Sequence, residues 1–566
     1  MRSIGPLRSA CKARLEGRGP RGVVNNRGRM MQLDTDLNQP PPFAGINLFD
    51  TDASLQDALR AAGVDAAREK LSALGADYGS AETLDLGRLA NENPPKLKRF
   101  DARGAPLNIV EFHPAYHALM NKSMAAGLHS SPWEAAVGPQ AQSARAARLY
   151  IAQQAEPGHI CPLTMTHASV AALSASPEIL KDWLPKIRSR EYDALFKPWR
   201  EKKSCALGMG MTERQGGSDV RANVTQAARH GDHYEIDGHK WFMSAPMCDA
   251  FLVLAQAQGG LTCFLMPRFT PEGAVNGLMF QRLKDKLGNR SNASSEVEFH
   301  KAYAGRVGDE GAGVRTILGM VQLTRLDCAA ASAGLMRSCL AQAAHHARHR
   351  SAFQRMLIGQ PQMRALLADL ALQSEAATAA AFALVSANER GAGDPQAAAY
   401  ARLLAPALKY FICKITPGFV FECLEVLGGN GYVEDSPLAR AYREAPLNSI
   451  WEGSGNVIAL DVLRAAQRAP EAAAEVIKRL GAAAGPHGAE AARGLMGLLR
   501  GADAERHARK IAETLAHLAG AAALGAVQPE LAARYAATRL GGAHRATWGA
   551  CDLAGVESVL IDRVAG

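Results

Sequence analysis

The sequence contains no run of the roughly 18–20 uninterrupted apolar residues that a membrane-spanning helix requires. The most apolar candidate, residues 512–527, is too short and is interrupted by Glu513 and His517. The first residues also lack the continuous apolar core of a secretory signal. We therefore predict that the protein does not enter a membrane.

Metal-binding and disulfide patterns are missing as well. The ten cysteines are scattered, with no CxxC pair and no cluster of cysteine and histidine at the spacing of a metal site. Such scatter favours reduced and mostly buried thiols, which are typical of the cytoplasm. We expect a cytoplasmic protein without a metal ion.

Positive charge is scarce outside the first thirty residues, although the whole chain carries a formal net charge of +9. Residues 1–30 hold eight Lys or Arg and one acid, and thus seven of the nine charges. A Gly- and Arg-rich segment of this kind is expected to be disordered. It is either a basic tail or a mis-assigned start, with translation beginning at Met30 or Met31; an Arg-rich transit peptide is a further alternative.

The chain of 566 residues is too long for one hydrophobic core, so we expect three or four domains. Apolar residues recur at helical spacing in segments 55–74, 144–154 and 168–184. Residues 31–205 are therefore predicted to form an N-terminal helical domain.

Strand-like sequence replaces this pattern between residues 206 and 308. Residues 234–236 and 240–242 flank the turn-forming pair at 237–238, which predicts a β-hairpin. Further strands are predicted at 251–254, 261–265 and 296–299. We assign residues 206–308 to a middle β domain.

Helical periodicity returns after Gly313. The predicted helices lie at 314–349, 361–390, 394–413 and 418–427, and then at 471–500, 503–525 and 528–540, with a break at 485–486. We assign 309–470 to a helical bundle domain and 471–566 to a C-terminal helical domain. The predicted fold class is α+β and mostly α, in the order α, β, α, with one extra helical domain.

One short run carries the strongest chemical signal. Residues 450–456, of sequence Ile-Trp-Glu-Gly-Ser-Gly-Asn, place the carboxylate of Glu452 beside an aromatic ring and before a turn that opens a helix. A carboxylate held in such a turn can abstract a proton, and the N–H groups of a helix start can bind a phosphate. The plainer alternative is a solvated turn residue.

Three other segments accompany this run. Residues 211–220 (Met-Thr-Glu-Arg-Gln-Gly-Gly-Ser-Asp-Val) offer hydroxyls and backbone N–H groups that suit a polar ring edge and a pyrophosphate. Residues 238–244 form an aromatic stripe that ends in a hydroxyl, and residues 350–353 and 425–432 supply an arginine, an aromatic ring and a glycine-rich turn. Taken singly, each also reads as a connecting turn, a core strand or a solvated helix end.

In their order and spacing these segments resemble the acyl-CoA dehydrogenase flavoprotein family. The resemblance implies a helical N-terminal domain, a middle β domain, a C-terminal helical bundle and FAD as cofactor. It implies that Glu452 is the catalytic base. The cofactor-binding residues that it implies are Met211, Thr212, Gly217, Ser218, Phe242, Met243, Ser244, Arg350, Phe353, Gly428, Gly429, Ile450, Trp451, Gly453, Ser454, Gly455 and Asn456.

The resemblance also divides these residues into two sets. Thr212 would bond the pyrimidine edge of the flavin, Phe242 would stack on the ring, and Ser244 would bond its N5 atom. The second set would hold the FAD of a neighbouring subunit, and so implies a homo-oligomer, commonly a tetramer; its members are Arg350, Phe353, Gly428 and Gly429.

Longer runs narrow the resemblance to the AidB branch, the flavoproteins of the bacterial adaptive response to DNA alkylation. These runs are residues 82–91, 162–166, 283–294 and 448–456. AidB-type proteins keep FAD, show feeble acyl-CoA dehydrogenase activity and add a C-terminal helical domain implicated in binding double-stranded DNA. The DNA-binding candidates are Arg464, Lys478, Arg479, Arg506, Arg509, Lys510 and Arg545.

Two positions weaken a simple transfer of function. Gln322 stands where many family members have an Asp that binds the CoA moiety, and Thr324 precedes Arg325 where some members place the base. Residues 465–566 hold twelve basic against ten acidic residues, so a solvated, paired surface is the alternative to DNA binding. The sequence thus leaves two functions open: a DNA-associated flavoprotein that limits alkylation damage, or a metabolic dehydrogenase of short or branched acyl-CoA.

Overall fold

The computed structural model describes residues 37–542 and 547–565, and before them only the paired strands β1 (Val23–Val24) and β2 (Met30–Met31). The predicted basic tail at 1–30 otherwise lies outside the described residues and stays a prediction. Arg545 also lies outside them.

The N-terminal part is helical and contains one antiparallel hairpin. Its elements are α1 (Ala53–Ala61), α2 (Arg68–Tyr78), α3 (Ala81–Glu92), β3 (Lys96–Phe100), β4 (Pro106–Glu111), α4 (Pro114–Ala125), α5 (Ala141–Ala155), α6 (Ile160–Leu173) and α7 (Pro177–Arg188). The predicted helix at 55–74 is two helices, because Gly63 with φ of 73° ends α1. The amide of Val64 returns to the carbonyl of Leu59 at 2.9 Å, which closes a Schellman motif.

Seven strands form the middle domain: β5 (Leu207–Gly210), β6 (Gln226–His230), β7 (His233–Ser244), β8 (Ala250–Ala257), β9 (Gly260–Pro267), β10 (Leu278–Leu283) and β11 (Ser294–Val307). Their hydrogen-bonded order is β10-β11-β7-β6-β8-β5. Strand β9 pairs with both β8 and β11, so these strands close into a ring with β7 and β6, while β5 and β10 remain as edge strands. The strands predicted at 251–254, 261–265 and 296–299 are confirmed within β8, β9 and β11.

The hairpin predicted at 237–238 is wrong. Strand β7 runs straight through this pair and ladders with β6 on one side and β11 on the other. Gly238 is needed for a close approach rather than a turn, because a Cβ there would lie 2.7 Å from the Cα of Thr225. Its φ of 146° is also one that other residues rarely adopt.

Long helices build the bundle that follows. They are α8 (Gly313–His349), α9 (Pro361–Arg390), α10 (Pro395–Val426), α11 (Gly429–Tyr432), α12 (Pro437–Glu444) and α13 (Gly455–Arg468), and the short hairpin β12 (Ser351–Ala352) and β13 (Arg355–Met356) separates α8 from α9. The break predicted between residues 413 and 418 is wrong: α10 continues through Pro406 and Pro417. Buried residues before and after Pro417 pack in the core, which outweighs its lost hydrogen bond.

The chain ends in α14 (Pro470–Ala483), α15 (Gly485–Arg500), α16 (Ala508–Gly525), α17 (Pro529–Arg539) and α18 (Glu557–Ala565), of which α18 was not predicted. These helices are not a detached module, since α16 packs on α9, α10 and α13. The guanidinium of Arg563 binds Glu375 at 2.7 Å and Asp57 at 2.8 Å, and so ties α18 to α9 and α1.

Helices α9 and α10 are long and apolar enough to cross a membrane by length and composition alone. Their most apolar windows are, however, 89% and 78% buried inside the protein. Both are core helices of the bundle, so their hydropathy is explained by burial.

Candidate active site

Glu452 lies in the loop between α12 and α13, where the sequence predicted a catalytic carboxylate. Its side chain is partly buried, and its Oε2 atom accepts a hydrogen bond of 2.7 Å from the hydroxyl of Thr324 on α8. Its φ of 57° lies in the left-handed region, which is uncommon for residues other than glycine. A backbone of this kind persists only when its surroundings hold it.

Two cations from the bundle hold the loop. Lys409, buried in α10, donates to the carbonyls of Trp451 at 2.8 Å and Gly453 at 2.6 Å. Arg325 donates to the carbonyl of Glu452 at 3.2 Å. Sequence reasoning missed Lys409 altogether, because an Ala- and Leu-rich helix gives no sign that one lysine turns inward to a loop forty residues away.

The environment of the Glu452 carboxyl changes its acidity. Burial raises its pKa above the ordinary value of 4.5, against the hydrogen bond from Thr324 and the positive charges of Arg325 and Lys409. A raised pKa makes a carboxylate a stronger base at neutral pH. Thr324 lies at the position that bears the base in some relatives. Here its hydroxyl donates a hydrogen bond to Glu452 and lowers the pKa of that carboxyl.

The first cofactor segment folds as a tight loop after β5. The amide of Trp241 on β7 donates to the carbonyl of Thr212 at 2.8 Å. A Cβ at Gly217 would lie 2.4 Å from the Oγ1 of Thr212, so the glycine lets the backbone pass close to that hydroxyl. Beneath the loop, the fully buried Glu213 and Lys240 form an ion pair of 2.7 Å, which anchors it to the sheet.

The end of β7 presents the predicted flavin-facing groups. Phe242 is 49% exposed, although an aromatic side chain in a strand usually packs in the core. The hydroxyl of Ser244 pairs with that of Ser294 at 3.0 Å. The side chain of Met243 points into the core and is fully buried, so only its backbone is available to a cofactor.

The second set of predicted cofactor residues lies at the surface. Phe353, at the tip of the β12–β13 hairpin, is 93% exposed. Gly428 has φ of 59°, and a Cβ there or at Gly429 would meet nothing within 4 Å. Residues 38–39 bridge the hairpin and the glycine turn, since Arg350 donates to the carbonyl of Asn38 and Asn430 donates to Gln39 at 3.4 Å.

The start of α13 is also open to solvent. Ser454 and Asn456 are exposed, Ile450 is 60% exposed, and Gly455 is partly so. Ser454 occupies the N-cap position, yet its side chain makes no capping hydrogen bond within the described part of the chain. The N–H groups of this helix start therefore remain available to an anion.

These residues fit FAD. The exposed ring of Phe242 suits the flavin, the hydroxyls of Thr212 and Ser244 suit its polar edge, and the open glycines and helix start suit a pyrophosphate. The donor set is rich in hydroxyl and backbone N–H groups, as a neutral ring edge and phosphates require.

The runs assigned to the AidB branch converge on a buried carboxylate that the sequence analysis did not single out. Glu156 accepts hydrogen bonds of 2.8 Å from Asn91 and Ser291 and lies 3.0 Å from His159. Burial alone would raise its pKa, but His159 and Asn91 together lower that pKa to about 2. Glu156 is therefore an ionised structural hub that joins the N-terminal helices to the β domain.

A second polar group lies nearer to Ser244. The ammonium group of Lys286 donates to the carbonyl of Asn292 at 2.6 Å and lies 3.4 Å from the hydroxyl of Ser294, which pairs with Ser244. Burial lowers the pKa of Lys286 to about 8. Burial also raises the pKa of Glu444 to about 7, against a 2.8 Å bond from Asn289. Burial thus moves the pKa values of Lys286 and Glu444 toward neutrality from opposite sides.

A cavity of about 410 Å³ lies behind the end of β7. It is bordered by Ala245, which follows Ser244, and by Pro162 of α6. Its other walls mix aromatic and thioether side chains with charged ones, the latter being Glu111, Asp193, Lys202 and Asp249. Such walls suit a small molecule with both apolar and polar parts.

The predicted DNA contacts differ in their surroundings. Arg464, Lys478, Arg506 and Lys510 are exposed. Arg479 is engaged within the chain, since it binds Glu475 at 2.8 Å and also donates to Gln396. Arg509 donates to Asn456 at 2.8 Å, and therefore reaches the predicted cofactor site. No structural statement applies to Arg545.

No metal site was predicted. Among the described residues, His230, His233 and Glu235 bring possible ligand atoms within 4.8 Å of one another. This group sits at the opposite end of β7 from Ser244, and we assign it no part in the flavin site. The described cysteines are all buried, as predicted.

Three family models match the chain in succession. Residues 38–194 match the adaptive response protein AidB N-terminal domain, residues 208–302 the acyl-CoA dehydrogenase middle domain, and residues 311–467 the acyl-CoA dehydrogenase C-terminal domain. Their order reproduces the helical, β and helical parts of the structure.

Relatives agree with these matches. The AidB protein of Escherichia coli (strain K12) is 48% identical over 435 residues, which are 76% of this chain and 80% of that protein. Caenorhabditis elegans ACDH-11, solved in complex with C11-CoA, is similar in structure with a TM-score of 0.83 at 25% identity, over 95% of this chain and 98% of that one. An acyl-CoA dehydrogenase of Bacillus anthracis solved with FAD shares the fold, with a TM-score of 0.61 at 16% identity over 76% of this chain and 80% of that one.

Proposed function

The chain belongs to the acyl-CoA dehydrogenase family, in its AidB group, and on this premise we propose that it is an FAD-dependent oxidoreductase that uses Glu452 as its base. The acyl-CoA dehydrogenase family is FAD-dependent. The observation that carries the proposal is the placement of Glu452: a carboxylate of raised pKa, held in a left-handed loop beside the predicted flavin site. Its role would be to remove the proton from the carbon next to a substrate carbonyl.

Three side chains of this protein have separate roles around Glu452 in the proposed reaction. Lys409 and Arg325 fix the loop backbone, so that the carboxylate does not have to be ordered when the substrate binds. Thr324 donates to one carboxylate oxygen and leaves the other to take the proton. FAD, when bound, supplies the acceptor for the hydride that leaves the neighbouring carbon.

The substrate class that we propose is an acyl-CoA, turned over weakly. The C11-CoA complex of ACDH-11 supports an acyl-CoA ligand for this fold. Gln322, which stands where many relatives have an aspartate for CoA, is directed to the carbonyl of Ala401 at 3.4 Å and has no charge to offer. Weak anchoring of CoA is therefore expected.

Anaerobic titration with C11-CoA and with short branched acyl-CoAs tests this proposal. We expect flavin absorbance to bleach, and Glu452→Gln to slow bleaching by about 10²- to 10⁴-fold, the usual contribution of a positioned base. Glu490→Gln, an exposed carboxylate on α15, is the matched control and should bleach like the wild type. Equal rates in Glu452→Gln and the wild type would sink the assignment of the base.

We also propose that the protein binds double-stranded DNA and protects it from alkylation. The AidB group is the main support, together with the exposed cations Arg464, Lys478, Arg506 and Lys510. A homo-oligomer would repeat this surface and raise its avidity for a long polyanion. The alternative is a metabolic acyl-CoA dehydrogenase whose C-terminal helices only support assembly.

A gel mobility shift with duplex DNA across a salt series separates these alternatives. DNA binding predicts an affinity that falls steeply with salt and falls further in a Lys478→Ala, Arg506→Ala, Lys510→Ala triple variant. Absence of a complex at about 50 mM salt, where phosphate contacts are strongest, would favour the metabolic alternative.

We propose a tetramer in the cytoplasm as the working state. The exposed Phe353 and Tyr432 support subunit contacts at the second cofactor set. Light scattering of the holoprotein measures the assembly directly, and a stable monomer that retains FAD would contradict it.

A further inference from the structure

Helix α16 of the C-terminal domain meets the cofactor site at one defined contact. The Nε atom of Arg509 donates to the Oδ1 atom of Asn456 at 2.8 Å. Arg509 is the second residue of α16, and Asn456 is the second residue of α13. The two helix starts therefore point toward the same place, and the C-terminal domain reaches a residue of the predicted flavin site.

The charges at this place are unusual. Besides Arg509, the ammonium group of Lys414 adjoins the start of α13, because a Cβ at Gly455 would lie only 3.1 Å from that nitrogen. The start of a helix carries a partial positive charge, so nearby cations are unfavourable and anions are favourable. Both cations are exposed to solvent.

Each cation at a positive helix end is modestly destabilising, and a bound anion would remove this cost. The nearest anion that the site requires is the pyrophosphate of FAD, which would also use the open N–H groups behind Ser454. Electrostatic conflict within an unliganded protein is typical of a site built for a ligand.

We propose that Arg509 is a positioning residue of the flavin site and not a contact to DNA. It holds Asn456 and, with Lys414, supplies positive charge for a phosphate of the cofactor. The C-terminal domain would thereby stabilise bound FAD, and FAD would in turn hold α16 against α13. This proposal rests on FAD as the cofactor, but it does not depend on Glu452 being the base.

The contact between Arg509 and Asn456 also lies close to Glu452 along the chain. Asn456 is four residues after Glu452, and the intervening loop is fixed by Lys409 at the carbonyls of Trp451 and Gly453. Displacement of Asn456 would therefore act on a short and tightly held segment. The Nε atom of Arg509 thus contacts the residue that ends this segment, while the side chain stays exposed to solvent.

Retention of FAD by the full-length holoprotein tests the proposal without any substrate. The rise in flavin fluorescence on dilution gives the dissociation constant of FAD for each variant. We expect Arg509→Ala to raise this Kd by about tenfold to a hundredfold, as for the loss of a charge-assisted hydrogen bond. Lys414→Met should raise it in the same direction, and Arg509→Lys, which keeps the charge, should recover part of the loss.

Arg500→Ala provides the matched control, since Arg500 is an exposed cation at the end of α15. This variant should retain FAD like the wild type, and Arg509→Ala should bind duplex DNA no more weakly than Arg500→Ala does. Unchanged FAD retention in Arg509→Ala, with weakened DNA binding, would overturn the proposal. Equal losses in Arg509→Lys and Arg509→Met, with a lowered melting temperature of both apoproteins, would also overturn it, because the residue would then be purely structural.

Discussion

Two parts of the flavin site place a residue other than glycine in the left-handed backbone region, and they are supported very differently. Glu452 has φ of 57° and is held from within the chain by Thr324, Arg325 and Lys409. Phe353 has φ of 51°, lies at a hairpin tip and is 93% exposed. Such a backbone costs on the order of 1–3 kcal/mol at each position.

The difference indicates whether the Glu452 loop and the Phe353 hairpin are each stabilised within one chain or by contacts outside it. The strain at Glu452 is offset by contacts that a single chain supplies, so its geometry exists before any ligand arrives. At Phe353 the chain offers a strained turn and an uncovered aromatic ring. We infer that this half is stabilised by a surface beyond the monomer, in line with the second cofactor set implied by the resemblance.

The largest expected effect comes from removing the support of the Glu452 loop. Lys409→Met leaves two partly buried carbonyls without their donor, at a cost toward the lower end of about 1–3 kcal/mol each. We expect a clear drop in melting temperature and flavin bleaching by acyl-CoA slowed by at least about tenfold. Calorimetry and stopped-flow absorbance measure the two effects.

Arg402→Met, an exposed position on the same helix α10, is the control for this change. It should leave both the melting temperature and the bleaching rate within error of the wild type. A Lys409→Met variant that melts normally and bleaches normally would mean that the loop is not held as described.

A smaller effect is expected at the hairpin. Phe353→Ala removes a side chain that is free in the monomer, so the unfolding free energy should change by less than about 0.5 kcal/mol. FAD retention should nevertheless fall, by about tenfold, if the ring is used by a neighbouring subunit. Leu195→Ala, at another exposed apolar residue, is the control. Loss of stability without loss of FAD would show that the ring serves its own chain.

The smallest effect is a shift in pH dependence. The hydrogen bond from Thr324 lowers the pKa of Glu452, so Thr324→Val raises that pKa further. Glu452 must be deprotonated to act as a base, and the rate therefore increases as pH rises through this pKa. The acid limb of the bleaching rate should move to higher pH in Thr324→Val, and should stay in place in Thr316→Val on the same helix. A shift to lower pH would contradict the hydrogen bond.

The sequence predicted the parts of this account that depend on local pattern. Helices α8 and α9 begin and end within one residue of the predicted segments, because their periodicity is long and regular. The hairpin predicted at 237–238 was wrong for a local reason too. The turn-forming pair was interpreted as a turn, whereas Gly238 allows β7 to pass close to Thr225. The break predicted between residues 413 and 418 was wrong because core packing carries α10 through Pro417.

Contacts between residues that are far apart in the chain could not be predicted from the sequence. Thr324 and Glu452 are 128 residues apart, and Ser291 and Glu156 are 135 apart. The resemblance named Glu452 as the base, but it could not show which donor would adjust its pKa. Arg509 was assigned to DNA as a basic residue of the C-terminal domain, and only the packing of α16 on α13 revealed its bond to Asn456.

Exchange of the α-hydrogen of an acyl-CoA with deuterated solvent tests the central claim most directly. Exchange reports proton removal alone, independently of electron transfer to FAD. With C11-CoA bound to the holoprotein, mass spectrometry should show deuterium entering at the α-carbon, and Glu452→Gln should slow this by at least about 10²-fold. Exchange at the wild-type rate in Glu452→Gln would contradict the assignment of Glu452 as the base.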